Sequence, residues 1–336
     1  MLKNYWKIAI RQLLRNKSFS ILNIAGLAVG MASAILILLW IAHEFTYDRF
    51  HAKQDRLYEL MTHHKADGKW GTGINTPEIM PPAMMQECPE VETVARLGWN
   101  DNLLFNYGDK NLKAIGACAD SAFLTMFSFP LLQGDARTAL VDPYSVVLTE
   151  GMARRLFGKE DAMGKTLKVD NALTWTVTGV MKDLPDNTQF HFEWLNSYNF
   201  KVLKGYIDKD WTDVNNRAFV LLRPHASPDA VNAKIKDMIF RYSEKRTTTE
   251  GFIYPLDQVR LYSEFTDRKP SGGRIVTVRI FALVAGLILL IACINFMNLS
   301  TARSERRGKE VGVRKVAGAR RMSLVLQFLC ESLLIA

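Results

Sequence analysis

Few residues of this sequence stand at spacings that could do covalent chemistry. Residues 158–166 read GKEDAMGKT, which looks at first like a phosphate cradle. Such a loop needs G-x-x-x-x-G-K-T, so that backbone amides wrap the phosphates. Here one extra residue separates the glycines, and the segment reads as a turn before a strand at 166–169. His63 and His64 are adjacent. Neighbours on a strand point to opposite faces, so the pair cannot grip one ion, and no cysteine or acid stands at ligand spacing beside them. No metal site, cofactor site or nucleophile–base set can be assembled, and the chain does not read as an enzyme. Of the four cysteines, Cys293 and Cys330 fall in apolar runs. Cys88 and Cys118 stand where a disulfide is permitted, but sequence alone does not show that they meet.

The informative small and polar residues lie inside or beside apolar runs. Residues 19–42 and 280–300 are stretches of 24 and 21 residues without a charge. At about 1.5 Å rise per residue, each can cross a hydrocarbon core about 30 Å thick. A third apolar run begins at Met322 and holds Glu331; the expectation is a span cut short, at 322–336. Gly26 and Gly30, with Ala34 in the same row, would let the first span approach another helix closely. Asn295 and Asn298 share one face of the second span, and amides in hydrocarbon want partners inside a bundle.

Charge sets the orientation. Residues 1–42 carry five lysines and arginines and no acid; residues 280–336 carry eight against Glu305, Glu310 and Glu331. Residues 43–279 are close to neutral, so the net charge of +9 sits beside the apolar runs, and a mean hydropathy near zero hides the partition. The positive-inside bias puts the N-terminus and residues 301–321 in the cytoplasm and 43–279 outside. The basic balance then reports topology and contact with membrane lipid. It is no argument for nucleic acid, which needs a basic face on a folded domain. Residues 1–18 place Trp6, Ile10, Leu13 and Leu14 on one stripe, with Lys3, Lys7, Arg11, Arg15 and Lys17 around it. This is the pattern of an amphipathic helix in the membrane interface, not of a cleaved signal.

The stretch 43–279 is too long for a loop. Strand patterns occur at 55–64, 91–99, 102–107, 217–223 and 252–261, and helix-start patterns at 77–87 and at Ser227-Pro228-Asp229. Val231, Ile235, Met238, Ile239 and Tyr242 then keep helical spacing. This is β-α-β near each end. Short strands at 145–149, 166–169 and 174–181, with a helix at 150–157, mark a different middle. The expected fold class is membrane helices plus an α+β extracytoplasmic domain. A βαβ lobe (about 48–109 and 196–279) would carry an inserted β-rich lobe (about 110–195).

Residues 302–321 read ARSERRGKEVGVRKVAGARR. On a helix, Val313, Val316 and Ala317 share a face among Arg314, Lys315, Arg320 and Arg321, and Gly312 and Gly318 suggest a shaped turn-helix element. A loop that only sets topology needs no such face; docking of a cytoplasmic partner does. RGKEVGVRKVAGARR followed by QFLCES resembles the coupling-helix signature of MacB/FtsX-type ABC transporter permeases, and INFMNLSTARSERR is similar to their second span and its exit. FTYDRFHAKQDRLYEL (45–60) and SVVLTEGMARRLFGKEDAMGKTLKVDNALTWTVTGVMKDLP (145–185) resemble parts of the family's extracytoplasmic domain.

The resemblance implies a multi-pass permease of the bacterial cytoplasmic (inner) membrane, working in efflux or mechanotransmission. Its outer domain would have a porter lobe and an inserted sabre lobe. Glu310, Val311, Gly312, Val313, Arg314, Lys315, Val316, Gly318 and Ala319 would contact a separate P-loop ATPase subunit. No cofactor would be held in this chain, ATP-Mg being bound by that partner. A second permease copy or a homologous half would complete a homo- or heterodimer, and a periplasmic partner or cargo is left open. The alternative is a two-span sensor with an outer ligand-binding domain. A sensor would follow its second span with a signalling helix and coiled coil, not with another apolar run. A membrane-tethered enzyme would need a convergent polar site.

Overall fold

The computed structural model describes residues 17–316. The chain divides into two compact units, one holding everything up to His43 and from Val276 onward, the other Glu44–Ile275. Most of the expected interfacial helix, the third apolar run, Gly318 and Ala319 lie outside the described residues.

The first unit is helical. Its elements are α1 (Lys17–Phe45) and most of α9 (Arg274–Val316). Ile24–Phe45 and Arg274–Asn298 are long and apolar enough to cross a membrane.

The second unit is α+β, built on four antiparallel strands: β1 (Leu57–Ala66), β3 (Val91–Leu97), β11 (Arg217–Leu222) and β12 (Glu250–Pro255), in the order β3-β11-β1-β12. β2 (Lys69–Gly73) extends β1 as a hairpin. Helix α2 (Met80–Glu87) joins β1 to β3, while α6 (Pro228–Ile235) and α7 (Met238–Tyr242) join β11 to β12, giving a split βαβ arrangement. Ser227 caps α6 as its spelling suggests: the side chain accepts from Ala230 N, with Pro228 in the first turn. β11 is buried on both faces. Ala218, Val220 and Leu222 join Leu60, Met84, Ile235 and Ile253 under the helices, while Phe219 and Leu221 point into a second core. A central strand with two covered faces needs a continuous apolar run, and AFVLL supplies it.

Between β3 and β11 the chain inserts a second, β-rich lobe: β4 (Asp101–Tyr107), β5 (Lys110–Ala119), β7 (Ser145–Thr149), β8 (Thr166–Val169), β9 (Leu173–Met181) and β10 (Trp194–Ser197). These pair as β5-β4-β8-β9-β7-β10, and β10 returns to β5 in parallel, closing a ring. Phe105, Val146, Leu148, Leu167, Val177 and Trp194 belong to the core of this lobe. Gly116 is where the ring closes. A Cβ there would lie 2.2 Å from the carbonyl oxygen of Trp194, so only a bare backbone lets the two strands meet. Helix α4 (Glu150–Phe157) starts at the Thr149 cap and stops at Gly158. The expected limit near residue 110 falls inside the β4–β5 hairpin; by strand pairing the lobe begins with β4.

A third core of aromatic side chains joins the lobes: Phe123 of α3 (Phe123–Met126), Phe127, Phe129, Phe190, Phe192 and Phe219. β6 (Leu131–Gln133) pairs with β9, and α5 (Asn199–Lys204) follows β10. The expected strand 252–261 ends early. After Pro255 the chain turns into α8 (Leu256–Val259), since proline cannot donate to a ladder and Asp257 suits a first helical turn. A hairpin of β13 (Glu264–Thr266) and β14 (Lys269–Gly272) leads to α9.

Candidate functional site

The two apolar helices run antiparallel against each other along small residues. A Cβ on Gly30 would lie 2.7 Å from Ala292 Cβ, and one on Gly26 would lie 3.0 Å from Asn295 Nδ2. Ala34, Ala285 and Ala292 are buried, and the rings of Trp40 and Phe281 are 5.1 Å apart. In lipid such close backbone approach supplies the packing that a hydrophobic drive cannot. Asn295 is half-buried beside Gly26, whereas Asn298 is exposed. Of the polar pair singled out by spacing, only Asn295 meets α1.

The continuation of the second apolar helix differs from expectation. Instead of a separate turn-helix element, α9 runs unbroken through Gly312 to Val316. The segment holds no proline, and an interior glycine costs only about 1 kcal/mol against alanine, which flanking Ala, Arg, Glu and Lys residues absorb. Glu310, Val311, Gly312, Arg314 and Lys315 lie on this helix. Val313 and Val316, one turn apart, are 71% and 92% exposed.

At its other end α9 begins with Arg274, in a cluster that spacing alone did not reveal. Glu44, in the last turn of α1, is 2% exposed. Its carboxylate accepts from Arg274 Nε and Nη2, both at 2.7 Å, and from Arg260 Nε at 3.1 Å. Arg260 also lies 4.1 Å over the Tyr47 ring. A carboxylate at a helix C-terminus faces the negative end of the macrodipole, so it needs cations brought to it. That was the legible signal: an acid where an uncharged run ends, in a turn that disfavours it. Next along the chain, Asp48 accepts from Thr188 Oγ1 at 2.5 Å and Gln189 N at 3.3 Å, while its amide donates to Asn187 O at 2.9 Å. Deeper still, Arg217 donates to Glu59 Oε1 through Nε at 2.9 Å and to Gln189 Oε1 through Nη2 at 2.7 Å. The last turn of α1 is thus bonded to the first residue of α9, and the segment that follows it to the β9–β10 connection of the inserted lobe.

The remaining candidates are structural in their surroundings. His63 stacks on Phe252 at 4.0 Å and bonds Thr72 Oγ1 through Nδ1 at 2.7 Å. His64 lies beside Gly71 on the other side of β1. Among the described residues no group of three His, Cys, Asp or Glu is placed to hold a metal ion. Residues 158–166 join α4 to β8, with Gly164 N bonded to Val177 O. Cys88 and Cys118 are both free thiols, and burial pushes the Cys118 thiol up to about 11.

Residues 20–238 match the family model of the MacB-like periplasmic core domain, and residues 282–336 that of the FtsX-like permease C-terminal region. The macrolide export ATP-binding/permease protein MacB of Campylobacter jejuni subsp. jejuni is 22% identical over 98% of this chain and 50% of its own length. The protein of the same name from Neisseria gonorrhoeae is 28% identical over 58% of this chain and 28% of its own length. The chain therefore spans half or less of the length of these curated relatives. A crystallised domain of a Porphyromonas gingivalis protein described as a permease superposes with a TM-score of 0.50 at 22% identity, over 69% of this chain and 99% of that domain. That likeness speaks to the α+β fold.

Proposed function

The chain belongs to the MacB/FtsX-type ABC transporter permeases, membrane proteins with a MacB-like periplasmic domain, and from that membership we propose that it transmits work from a separate cytoplasmic ATPase to its outer domain. The observation that carries this reading is α9. One continuous helix of 43 residues holds Arg274, bonded to Glu44, at its first residue and the bare side chains of Val313 and Val316 at its far end. Two exposed valines one turn apart, in a segment rich in arginine and lysine, suit a shallow groove on an acidic-rimmed protein better than they suit water. Glu310, Val311, Gly312, Arg314, Lys315, Gly318 and Ala319 complete the proposed contact. ATP-driven closure of the partner subunits would move α9 along or about its axis and pull on the Glu44 cluster. A second permease copy or a homologous half would supply the other arm, with Asn298 and the exposed apolar faces of both helices available to further spans. The membrane is the bacterial inner membrane, with residues 43–279 outside, and the task is efflux or mechanical activation of a periplasmic partner or cargo.

The test is copurification. The full-length protein in mild detergent should bring a P-loop ATPase with it, and the double variant Val313→Asp, Val316→Asp should lose it while keeping its thermal midpoint. Equal recovery of the ATPase by both forms, or by neither, would sink the reading.

A further inference from the structure

Two titratable side chains in the segment after the first apolar helix form a pair of their own. The side chains of His51 and Asp48 are 0% and 1% exposed, and His51 Nε2 lies 4.0 Å from Asp48 Oδ1. The imidazole sits among the rings of Phe50, Phe127 and Phe129, at 4.1, 5.0 and 5.2 Å. The backbone N–H of Ser128 donates to its Nδ1 at 3.1 Å. An atom that accepts a hydrogen bond cannot also carry a proton toward the same donor, so the neutral ring holds its proton on Nε2. Nε2 has no hydrogen-bond partner among the described residues, and it is the atom turned toward Asp48.

Among the described residues, no cation is bonded to the Asp48 carboxylate. From its own segment comes the neutral His51; from β1 comes Glu59, a second buried carboxylate; from β11 comes Arg217, whose guanidinium is bonded to Glu59 and to Gln189. From the β9–β10 connection, the neutral Thr188 and Gln189 bond the carboxylate and Asn187 O takes the Asp48 amide. We propose that Asp48 and His51 form a buried proton-binding site, in which the titrating proton goes to the carboxyl and the imidazole is locked as the neutral Nε2–H tautomer. Charging the ring would set an Nδ1–H against the Ser128 N–H and bury a cation among phenyl rings; protonating the carboxyl removes an anion that has no cation. Burial drives both groups the same way, Asp48 from 3.8 up to about 6 and His51 from 6.5 down to about 4.

Folding therefore moves a proton from imidazole to carboxyl. Near pH 5 the unfolded chain carries it on His51 and the folded chain on Asp48. The two linkages have opposite signs. The raised Asp48 value adds stability as pH falls from about 6 toward 3.8, and the depressed His51 value removes stability as pH falls from 6.5 toward about 4. The native pair is nearly flat over that window, and either substitution exposes the slope of the other member. His63, whose value burial also lowers to about 4, slopes alike in every variant and cancels in comparison.

The experiment uses the full chain in detergent with ¹⁵N-labelled histidine. The His51 signals should keep the neutral Nε2–H pattern down to about pH 5, with an inflection near 6 that disappears in Asp48→Asn. Thermal midpoints should fall with acid in Asp48→Asn and rise with acid in His51→Gln, each relative to the unsubstituted chain. An Nδ1–H tautomer, an imidazolium forming near 6.5, or an inflection that survives Asp48→Asn overturns the proposal. The tautomer is read on the unsubstituted protein, so the result stands even where a variant fails to fold.

Discussion

Glu44, the first residue of the α+β unit, is bonded to two arginines, Arg260 and Arg274. Removing it leaves Arg260 and Arg274 facing each other. Those arginines are 30% and 42% exposed, so solvent softens the loss, and Glu44→Ala should cost about 1–3 kcal/mol rather than the larger figure for a fully buried pair. Glu44→Gln, which keeps one acceptor, should cost less. Urea midpoints of the full chain measure both, and identical midpoints for all three forms would contradict the role given to the carboxylate. Gly30 is the matching position in the helical unit. With Ala292 Cβ only 2.7 Å from where a Cβ would stand, Gly30→Val must push the helices apart. Cysteines replacing Trp40 and Phe281, whose rings are 5.1 Å apart, should be bridged by a short bifunctional thiol reagent in the native background and poorly beside Gly30→Val.

Elements differ in how far their local sequence specifies them. The strands at 145–149 and 166–169 and the helix at 150–157 lie where their apolar and β-branched residues, the Thr149 cap and Gly158 put them. Those signals act within a few residues. Ring closure does not: β10 finds β5 far back in the chain, and its only local trace is a glycine in an otherwise ordinary strand. The Glu44 partners are likewise 216 and 230 residues away, beyond any spacing rule, although the acid itself was conspicuous. The turn-helix element suggested by Gly312 and Gly318 is not seen at Gly312, where one glycine is a weak signal outweighed by helix formers on both sides; Gly318 lies outside the described residues. Gly116→Ala tests the closure. With Trp194 backbone and ring atoms 2.2 Å from the added methyl, the substitution should cost well over about 3 kcal/mol. Hydrogen exchange should show protection lost in β5 and β10 while β1 and β11 keep theirs; uniform protection would mean that the strands part without consequence.

At the scale of the whole molecule, α9 is the longest element among the described residues, 43 residues or about 65 Å at the helical rise. If it works as a strut, breaking it between its apolar part and Val313 should separate binding from transmission. Ala302→Pro removes a backbone donor and costs about 3 kcal/mol of helix, which bends the strut without touching the exposed valines. The ATPase should still copurify, while ATP-dependent distance changes between spin labels in the outer domain should vanish. Persistence of those changes would assign transmission to another element. The insertion meets the four-stranded base through β3 and β5 at one register pair, Leu97 with Ala119, through a phenylalanine core, and through directional polar bonds such as Arg96–Asp120 and Arg217–Gln189. Greasy contact is non-directional and tolerant of reshaping. That core alone would let the ring roll on the base; the polar bonds fix its orientation there.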